Sequence, residues 1–297
     1  MNPQLLPPAF PTSWANEWGE DEFGLYLDWN YEGIVQRFRW IVPGTFTMGS
    51  PENEAERRED ETQHLVTLRQ GFWLADSACT QALWLAVMKN NPSYFDGEHD
   101  NPVEHVSWND VQQFILILNS QLPDLQARLP TEAEWEYACR AGTTTPFSFG
   151  DSITSEQVNY NSNILSVGAE GGRYRDKTVP VKSLPPNSWG LYEMHGNVWE
   201  WCADWYGDYP VEAVIDPSGL VTEQRRVLRG GAWYSTAGGV RSAFRLGYDP
   251  DYRNYFIGFR LALGRGKDAS MVSEAGETAR QSVEAERNRE DGWDTPA

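Results

Sequence analysis

The stretch RVLRGGAWYSTAGGVRSAFRLGYDPDYRNYFIGFRL, residues 226–261, is the part of the chain around which the rest is organised. It alternates between a regular frame and short insertions in that frame. Gly230 and Gly231 in the frame permit positive φ angles or a close approach of backbone. Residues 249–251, Asp-Pro-Asp, are typical of a turn. Short strands joined by turns are therefore predicted for the frame, which comprises residues 229–233, 240–243, 245, 249–251, 253–254 and 257–260.

The insertions combine aromatic residues with small ones and contain no charged side chain. Aromatic anchors on a background of Gly, Ser, Thr and Ala are typical of antibody-like binding surfaces, where rings provide contact area at low entropic cost. The alternative interpretation places these rings in the core, but the density of Gly and Pro favours surface loops. The candidate ligand-binding residues are Tyr234, Ser235, Thr236, Ala237, Gly238, Gly239, Phe244, Leu246, Gly247, Tyr248, Tyr252, Tyr255 and Phe256.

Composition limits the classes of partner and the kind of fold. The 297 residues are enough for one large domain. A formal net charge of -19 argues against nucleic acid as a partner, because phosphate binding needs a basic surface. The 14 tryptophans predict a loop-rich fold in which buried indoles, each with an N–H to pair, hold irregular backbone.

The cysteines and the N-terminus bear on the cellular compartment. Cys79, Cys139 and Cys202 do not form a disulfide framework in a chain of this length, and we expect them to be small buried hydrophobic residues. The N-terminus lacks the basic and apolar regions of a signal peptide, and no run of residues reaches the length of a membrane span. We therefore expect a cytoplasmic protein with no membrane partner.

Apolar periodicity predicts a mixed α+β domain. Residues 37–42 and 64–68 alternate as strands, and residues 71–75 predict a third strand. Thr80 and Thr131 are the predicted N-caps of two helices, between which another helix begins at residue 107 or 108. The predicted organisation is an N-terminal extension at residues 1–19, one loop-rich domain at 20–263, and an acidic, disordered tail at 264–297.

Several motifs together resemble the sulfatase-modifying, formylglycine-generating enzyme family, in the family's order over most of residues 38–262. The fold that this resemblance implies is a C-type-lectin-like α+β domain, rich in loops and low in regular secondary structure. The motifs are PGTFTMGS at 43–50, PVEHVSWND at 102–110, RLPTEAEWEYACRAG at 128–142, GLYEMHGNVWEWCADW at 190–205, RVLRGGAW at 226–233 and GFRLA at 258–262.

The resemblance also implies a copper site, and the sequence departs from it. The family's best-known activity oxidises a substrate cysteine to formylglycine with a copper ion held by a cysteine pair. The matching positions here are Ser235 and Val240. Thiolate is the soft ligand that Cu(I) needs, and neither a hydroxyl nor an isopropyl group replaces it. We therefore expect no copper.

The texture of residues 226–261 resembles a different branch of the same fold, the variable proteins of diversity-generating retroelements. In that branch a reverse transcriptase randomises adenines of a template, and the resulting residues form a hypervariable binding surface. The inserted residues all belong to the set that such randomisation of an Asn codon produces. The resemblance therefore implies a diversified binding surface on a lectin-like scaffold.

A structural calcium ion is the remaining cofactor that the resemblance implies. The matching ligands are Glu193, the carbonyl groups of Gly196 and Val198, and the Glu200 carboxylate, an oxygen-rich set that suits a hard cation. The alternative interpretation is that Glu200 accepts hydrogen bonds from backbone N–H groups of its turn. His195 is interpreted as a hydrogen-bonded structural residue.

The sequence thus leads to two hypotheses of function. The first is a non-enzymatic protein that binds a protein or another macromolecule through a diversified surface. The second is a metal-dependent oxidoreductase of the formylglycine-generating enzyme family, acting on a peptide or small molecule. Redox-metal analysis of the purified protein distinguishes the two.

Overall fold

Short strands and three helices make up the regular part of the computed structural model, which describes residues 6–219 and 224–264. The helices are α1 (Gln81–Met88), α2 (Trp108–Gln121) and α3 (Glu132–Arg140). The strands are β1 (Glu17–Asp21), β2 (Gly24–Tyr31), β3 (Ile34–Ile41), β4 (Gly44–Met48), β5 (His64–Leu68), β6 (Phe72–Ala75), β7 (Ala127–Arg128), β8 (Trp199–Trp205), β9 (Val214–Ile215), β10 (Arg226–Arg229), β11 (Arg245–Tyr248), β12 (Ile257–Gly258) and β13 (Ala262–Leu263). The predicted α+β class is confirmed.

The strands form three small sheets. The order in the first sheet is β1-β2-β3-β6-β13-β7, in the second β11-β10-β8-β12, and in the third β4-β5-β9. Strand pairs are antiparallel except β12 with β8 and β5 with β9. The second sheet contains three strands from residues 226–261, so this stretch is built into the centre of the fold.

Side-chain caps start all three helices where the sequence predicts them. Thr80 caps α1 through its hydroxyl oxygen. Ser107 and Asp110 form a reciprocal capping box at the start of α2, and Thr131 and Glu134 form another at α3. Each box satisfies N–H groups that the first helical turn leaves without partners. Local sequence was therefore sufficient to predict these boundaries.

The N-terminal part of the described chain belongs to the domain, which corrects the predicted boundary between residues 19 and 20. That boundary falls inside β1, which pairs with β2. The ring of Phe10 stacks on Trp73 at 6.1 Å, and Trp14 packs edge-on against Phe38. The hairpin was not predicted because β1, EWGED, has a single apolar side chain, Trp18, and therefore no alternating signal.

Buried tryptophans hold the loop-rich backbone, as the composition predicts. Trp201 is fully buried and donates its indole N–H to the carbonyl of Val106, 95 residues away in sequence. Trp135 donates to the Glu200 carboxylate at 2.7 Å. Such long-range pairs replace the regular ladders that a long sheet would provide. Residues 142–190 contain no helix or named strand, in agreement with their predicted loop character.

The remaining predictions concern membrane spans and the C-terminal tail. Within residues 6–219 and 224–264, no helix combines the length and the apolar character that crossing a membrane requires. The predicted tail, apart from Gly264, lies outside the described residues.

Candidate binding surface

The stretch 226–261 forms short strands and turns as predicted, but the strands coincide with the predicted frame only in part. β10 pairs with β11 on one side and with β8 on the other. Gly230 and Gly231 follow β10 with φ angles of 93° and 73°, so both have the positive φ that the sequence permits. Leu246, Gly247 and Tyr248 were predicted as an insertion, but they lie within β11 because they pair with residues of β10.

Buried arginines and glutamates hold the frame together. Arg241 binds both carboxylate oxygens of Glu61 at 2.8 Å, and Arg260 binds both oxygens of Glu200 at 2.6 and 2.7 Å. Two similar buried pairs are Arg229 with Glu136 and Arg245 with Glu132. The four arginines also donate to loop carbonyl groups. The carboxylate partners lie at least 60 residues away in sequence and were not predicted.

Two of the candidate ligand-binding residues are clearly exposed. Tyr234 has 37% of its surface accessible and Tyr255 has 41%. The rest of the accessible candidates are half-buried: Thr236, Gly239, Phe244, Leu246, Gly247, Tyr248, Tyr252 and Phe256. Partial exposure of rings on a rigid frame is what a preorganised contact surface requires.

Three candidates lie inside the protein, which removes them from the exposed surface. Ser235 is buried and its Oγ accepts a hydrogen bond from the Ala232 N–H. Ala237 is fully buried in a small apolar cluster. Gly238 is buried where a Cβ atom would overlap the Glu56 carboxylate. The small size of these residues was interpreted in the sequence as typical of an adaptable binding surface. In the structure it allows close packing inside the protein.

The exposed and half-buried rings contact one another. Tyr234 lies 4.6 Å from Phe256, and Phe256 lies 5.5 Å from Tyr255, measured between ring centroids. Tyr248 and Tyr252 stack at 4.5 Å. Burial raises the pKa of the Tyr234 hydroxyl to about 12, so this group remains a hydrogen-bond donor at neutral pH. The surface therefore combines apolar ring area with neutral polar groups.

Aromatic residues from outside residues 226–261 continue this surface and were missed in the sequence. Tyr94 lies 5.3 Å from Tyr255, and Phe95 packs edge-on against Trp233 at 5.6 Å. The ring of Tyr174 stacks on Trp233 at 6.2 Å. Aromatic residues within polar, Gly-containing loops were the available signal, but nothing local relates them to a stretch 52 or more residues away.

The positions that match the family's copper ligands do not fit that metal. Ser235 holds a hydroxyl group engaged with backbone, and Val240 packs in the same apolar cluster as Ala237. Cys79, Cys139 and Cys202 are free and buried, as expected. Among the described residues, no group of three or more His, Cys, Asp or Glu side chains is placed to hold a metal ion.

The Glu200 carboxylate has a different role from both predicted ones. Its two oxygens accept from the Arg260 guanidinium and the Trp135 indole rather than from backbone N–H groups. A carboxylate saturated by a guanidinium is a poor cation ligand. Glu193 accepts from the backbone N–H groups of Lys182 and Leu184, and its burial raises its pKa to about 7. The Glu200 carboxylate of the implied calcium set is thus engaged with Arg260 and Trp135.

A buried thiol and imidazole lie side by side near a narrow cleft. Cys139 Sγ is 3.7 Å from His195 Nε2. His195 Nδ1 donates to the Val240 carbonyl and Nε2 accepts from the Ser148 N–H, as expected of a structural histidine. Burial raises the thiol pKa to about 12 and lowers the imidazole pKa to about 4. Both groups are therefore neutral, which excludes a thiolate–imidazolium pair.

Comparison with known proteins identifies the domain. A family profile described as the sulfatase-modifying factor enzyme 1-like domain matches residues 32–264. The formylglycine-generating enzyme of Streptomyces coelicolor is 38% identical over 229 residues, which cover 71% of this chain and 68% of that protein. A Bos taurus protein described as inactive C-alpha-formylglycine-generating enzyme 2 is 34% identical over 173 residues, covering 56% of this chain and 51% of its own. The chain thus spans about half the length of this mammalian relative.

Two solved structures share the fold over most of the chain. Variable protein 1 of Treponema denticola superposes with a TM-score of 0.69 at 26% identity, covering 80% of this chain and 98% of that one. PvdO of Pseudomonas aeruginosa superposes with a TM-score of 0.64 at 28% identity, covering 78% and 95% respectively.

Proposed function

Because the chain belongs to the sulfatase-modifying factor enzyme 1-like family, we propose that it uses this family's fold as a scaffold for ligand binding rather than for catalysis. The binding surface consists of the accessible insertions of residues 226–261. The ligand is a protein or another macromolecule. In this proposal the insertions are diversified by a retroelement, while the frame stays constant.

The observation that carries the proposal is the partial exposure of a contiguous set of rings on a frame of buried ion pairs. The Phe256 ring contacts both Tyr234 and Tyr255, and these rings reach solvent. In the same stretch of chain, Arg229 and Arg241 are buried and paired with Glu136 and Glu61. Tyrosine is enriched among residues that dominate binding energy. A rigid base keeps the entropic cost of ordering such rings on binding low.

The similarity to variable protein 1 of Treponema denticola supports the proposal, because its identity of 26% extends over nearly the whole of that chain. The relative described as inactive provides independent support that this family includes members outside catalysis. At the matching copper positions, Ser235 and Val240 supply no thiolate.

An oxidoreductase is the second candidate, favoured by the 38% identity with the formylglycine-generating enzyme of Streptomyces coelicolor. It would require a metal arrangement that differs from the family's cysteine pair. Elemental analysis of the purified full-length protein separates the two functions. Stoichiometric copper or iron, retained through gel filtration, would favour the enzyme, and substoichiometric redox metal would favour the binding protein.

The decisive experiment is sequencing of codons 226–261 from a population of the source organism. We expect substitutions at the accessible insertions, such as Tyr234, Tyr252 and Tyr255, and an unchanged frame at Arg229 and Arg260. The frame codons provide the internal control, because ordinary random mutation would change frame codons and inserted codons at similar rates. One invariant sequence across the population would remove the diversification from the proposal.

A further inference from the structure

Some of the most exposed apolar side chains of the described residues lie on two loops outside residues 226–261. Leu165 is 80% exposed, Tyr94 is 70% exposed and Val167 is 65% exposed. Single exposed apolar residues are ordinary, but clusters of them beside a candidate site mark interaction surfaces. Both loops contact the candidate binding residues, the first through Tyr94 and Tyr255 and the second through Asn161 and Ser235.

The first loop, residues 91–100, is anchored through the backbone of Phe95, while the Tyr94 side chain is exposed. The Phe95 N–H donates to Glu104 Oε1 at 2.8 Å, and the Phe95 carbonyl accepts from Gln81 Nε2 at 3.0 Å. This anchoring sets the Phe95 ring against Trp233, while the Tyr94 ring contacts Tyr255. The loop therefore holds the rings of Tyr94 and Phe95 in a fixed position beside Tyr255 and Trp233.

The second loop, residues 161–174, also contacts residues 226–261, which are the variable segment of the proposed function. The Asn161 N–H donates to the Ser235 carbonyl at 2.8 Å. The Val167 N–H donates to the Glu56 carboxylate, against which Gly238 also packs. At the far end of the loop, Tyr174 stacks on Trp233. Leu165 thus projects from a loop that is tied to the variable segment at both ends.

We propose that the binding surface is composite, with loops 91–100 and 161–174 as a constant part beside the variable segment, and that its ligand is a protein with an apolar patch bordered by basic residues. This inference rests on the proposed function. The constant loops supply contact area that is the same in every variant of the chain. The variable segment then decides which apolar patch is preferred.

The geometry favours a protein over a small molecule. The rings of Phe95, Trp233 and Tyr255 pack against one another at 5.6–6.2 Å, so they form a continuous surface with no space between them. Small-molecule sites are concave and enclose about 300–1,000 Å³. The narrow cleft at His195 has no room for a water-sized sphere and is lined by Pro185, Met194 and their neighbours, none of which belongs to this surface.

Charge at the border favours a basic partner. Residues 96, 98 and 100 are exposed acids in the first loop, and residues 249 and 251 are exposed acids beside the variable rings. Two exposed cations nearby, Lys177 and Arg253, pair with Glu98 and Asp110. Arg58, which lies over the Phe244 ring, pairs with Asp60. The formal net charge of -19 adds a long-range attraction for cationic proteins.

The test uses cyclic peptides, selected from a displayed random library on the full-length wild-type chain, as the probe. Their affinities are then measured for Leu165→Ser, Tyr94→Ala and Tyr255→Ala. Val211→Ser is the matched control, because Val211 is 77% exposed but lies in the segment that precedes β9 of the third sheet. Melting temperatures of all four variants are recorded to exclude unfolding.

We expect most selected peptides to lose about tenfold or more in affinity with each of the three surface variants, and to be unaffected by Val211→Ser. We also expect Lys or Arg beside their apolar residues, and weaker binding as salt concentration rises. Dependence on Tyr255 alone would overturn the composite surface and leave the proposed function standing. Dependence on none of the three would overturn both, and peptides without basic residues would overturn the assigned partner charge.

Discussion

Glu104 is a fully buried carboxyl group with one oxygen bonded to the Phe95 N–H and the other, Oε2, without a partner among the described residues. Burial raises its pKa from 4.5 to about 7. Between these values the folded protein binds a proton that the unfolded chain releases. The free energy of unfolding therefore falls as the pH rises from about 4.5 to about 7, by up to about 3 kcal/mol.

We expect Glu104→Gln to flatten this part of the pH dependence, because the amide does not ionise. The measurement is chemical denaturation of the wild type and the variant at a series of pH values between 4 and 8. Comparing slopes rather than absolute stabilities corrects for any cost of the new NH₂ group. Parallel profiles for the two proteins would contradict the assignment of a raised pKa to Glu104.

Arg260 illustrates the buried pairs that hold the frame. Its guanidinium binds both oxygens of Glu200, and both side chains are at most 1% exposed. We expect Arg260→Met to lower the free energy of unfolding by about 3–5 kcal/mol, because it leaves a buried carboxylate without its cation. Denaturant titration measures this loss.

The double variant Arg260→Met with Glu200→Gln provides the control for that prediction. The neutral amide still accepts from the Trp135 indole, and no buried charge is left unpaired. We expect it to be more stable than Arg260→Met alone. Equal stability of the single and double variants would show that packing, rather than charge, dominates at this site.

At the scale of elements, the segment between β10 and β11 should tolerate substitution unevenly. Tyr234 is exposed, whereas Ala237 is fully buried in its apolar cluster and Gly238 packs against Glu56. We expect Tyr234→Ser to change the free energy of unfolding by less than about 1 kcal/mol. A ring at position 237 would overpack the cluster and cost about 1–3 kcal/mol or more.

Saturation mutagenesis of residues 234–239, read out by protease resistance of the displayed protein, checks this pattern. Frame residues such as Arg229 act as an intolerant reference, and Val211 acts as an exposed tolerant one. Uniform tolerance across all six positions would contradict the burial of Ser235, Ala237 and Gly238. The same pattern should appear in natural variants if the segment is diversified.

At the scale of the whole molecule, calcium is the cofactor that stability measurements can test. The Glu200 carboxylate is saturated by Arg260 and Trp135, so the turn at residues 193–200 offers one carboxylate to a cation. A calcium ion that binds only the folded state would raise the melting temperature. Because we expect no such binding, the melting temperature should be the same in EDTA and in millimolar calcium. A calcium-dependent increase that Glu193→Gln abolishes would restore the calcium site, and Glu52→Gln on an exposed loop is the matched control.

Much of the fold could be predicted from the sequence where local rules apply. The caps at Thr80, Ser107 and Thr131 depend on residues three positions apart, and strands β5 and β6 follow from short apolar patterns. The hairpin of β1 and β2 could not be predicted in this way, because a strand with a single apolar side chain, Trp18, leaves no periodic signal. Its pairing is stabilised by packing of Phe10 and Trp14 on distant rings.

By itself, the sequence determined the family and the residues at the copper positions. Whether a thiolate is present there depends only on which amino acids the chain contains. The tertiary structure decided which insertions reach solvent, which carboxylate pairs with each buried arginine, and which rings outside the segment join the surface. These outcomes depend on contacts between residues far apart in sequence, such as Glu200 with Arg260 at 60 positions and Tyr174 with Trp233 at 59. The energy of such contacts comes from burial and packing, and these exist only once the chain has folded.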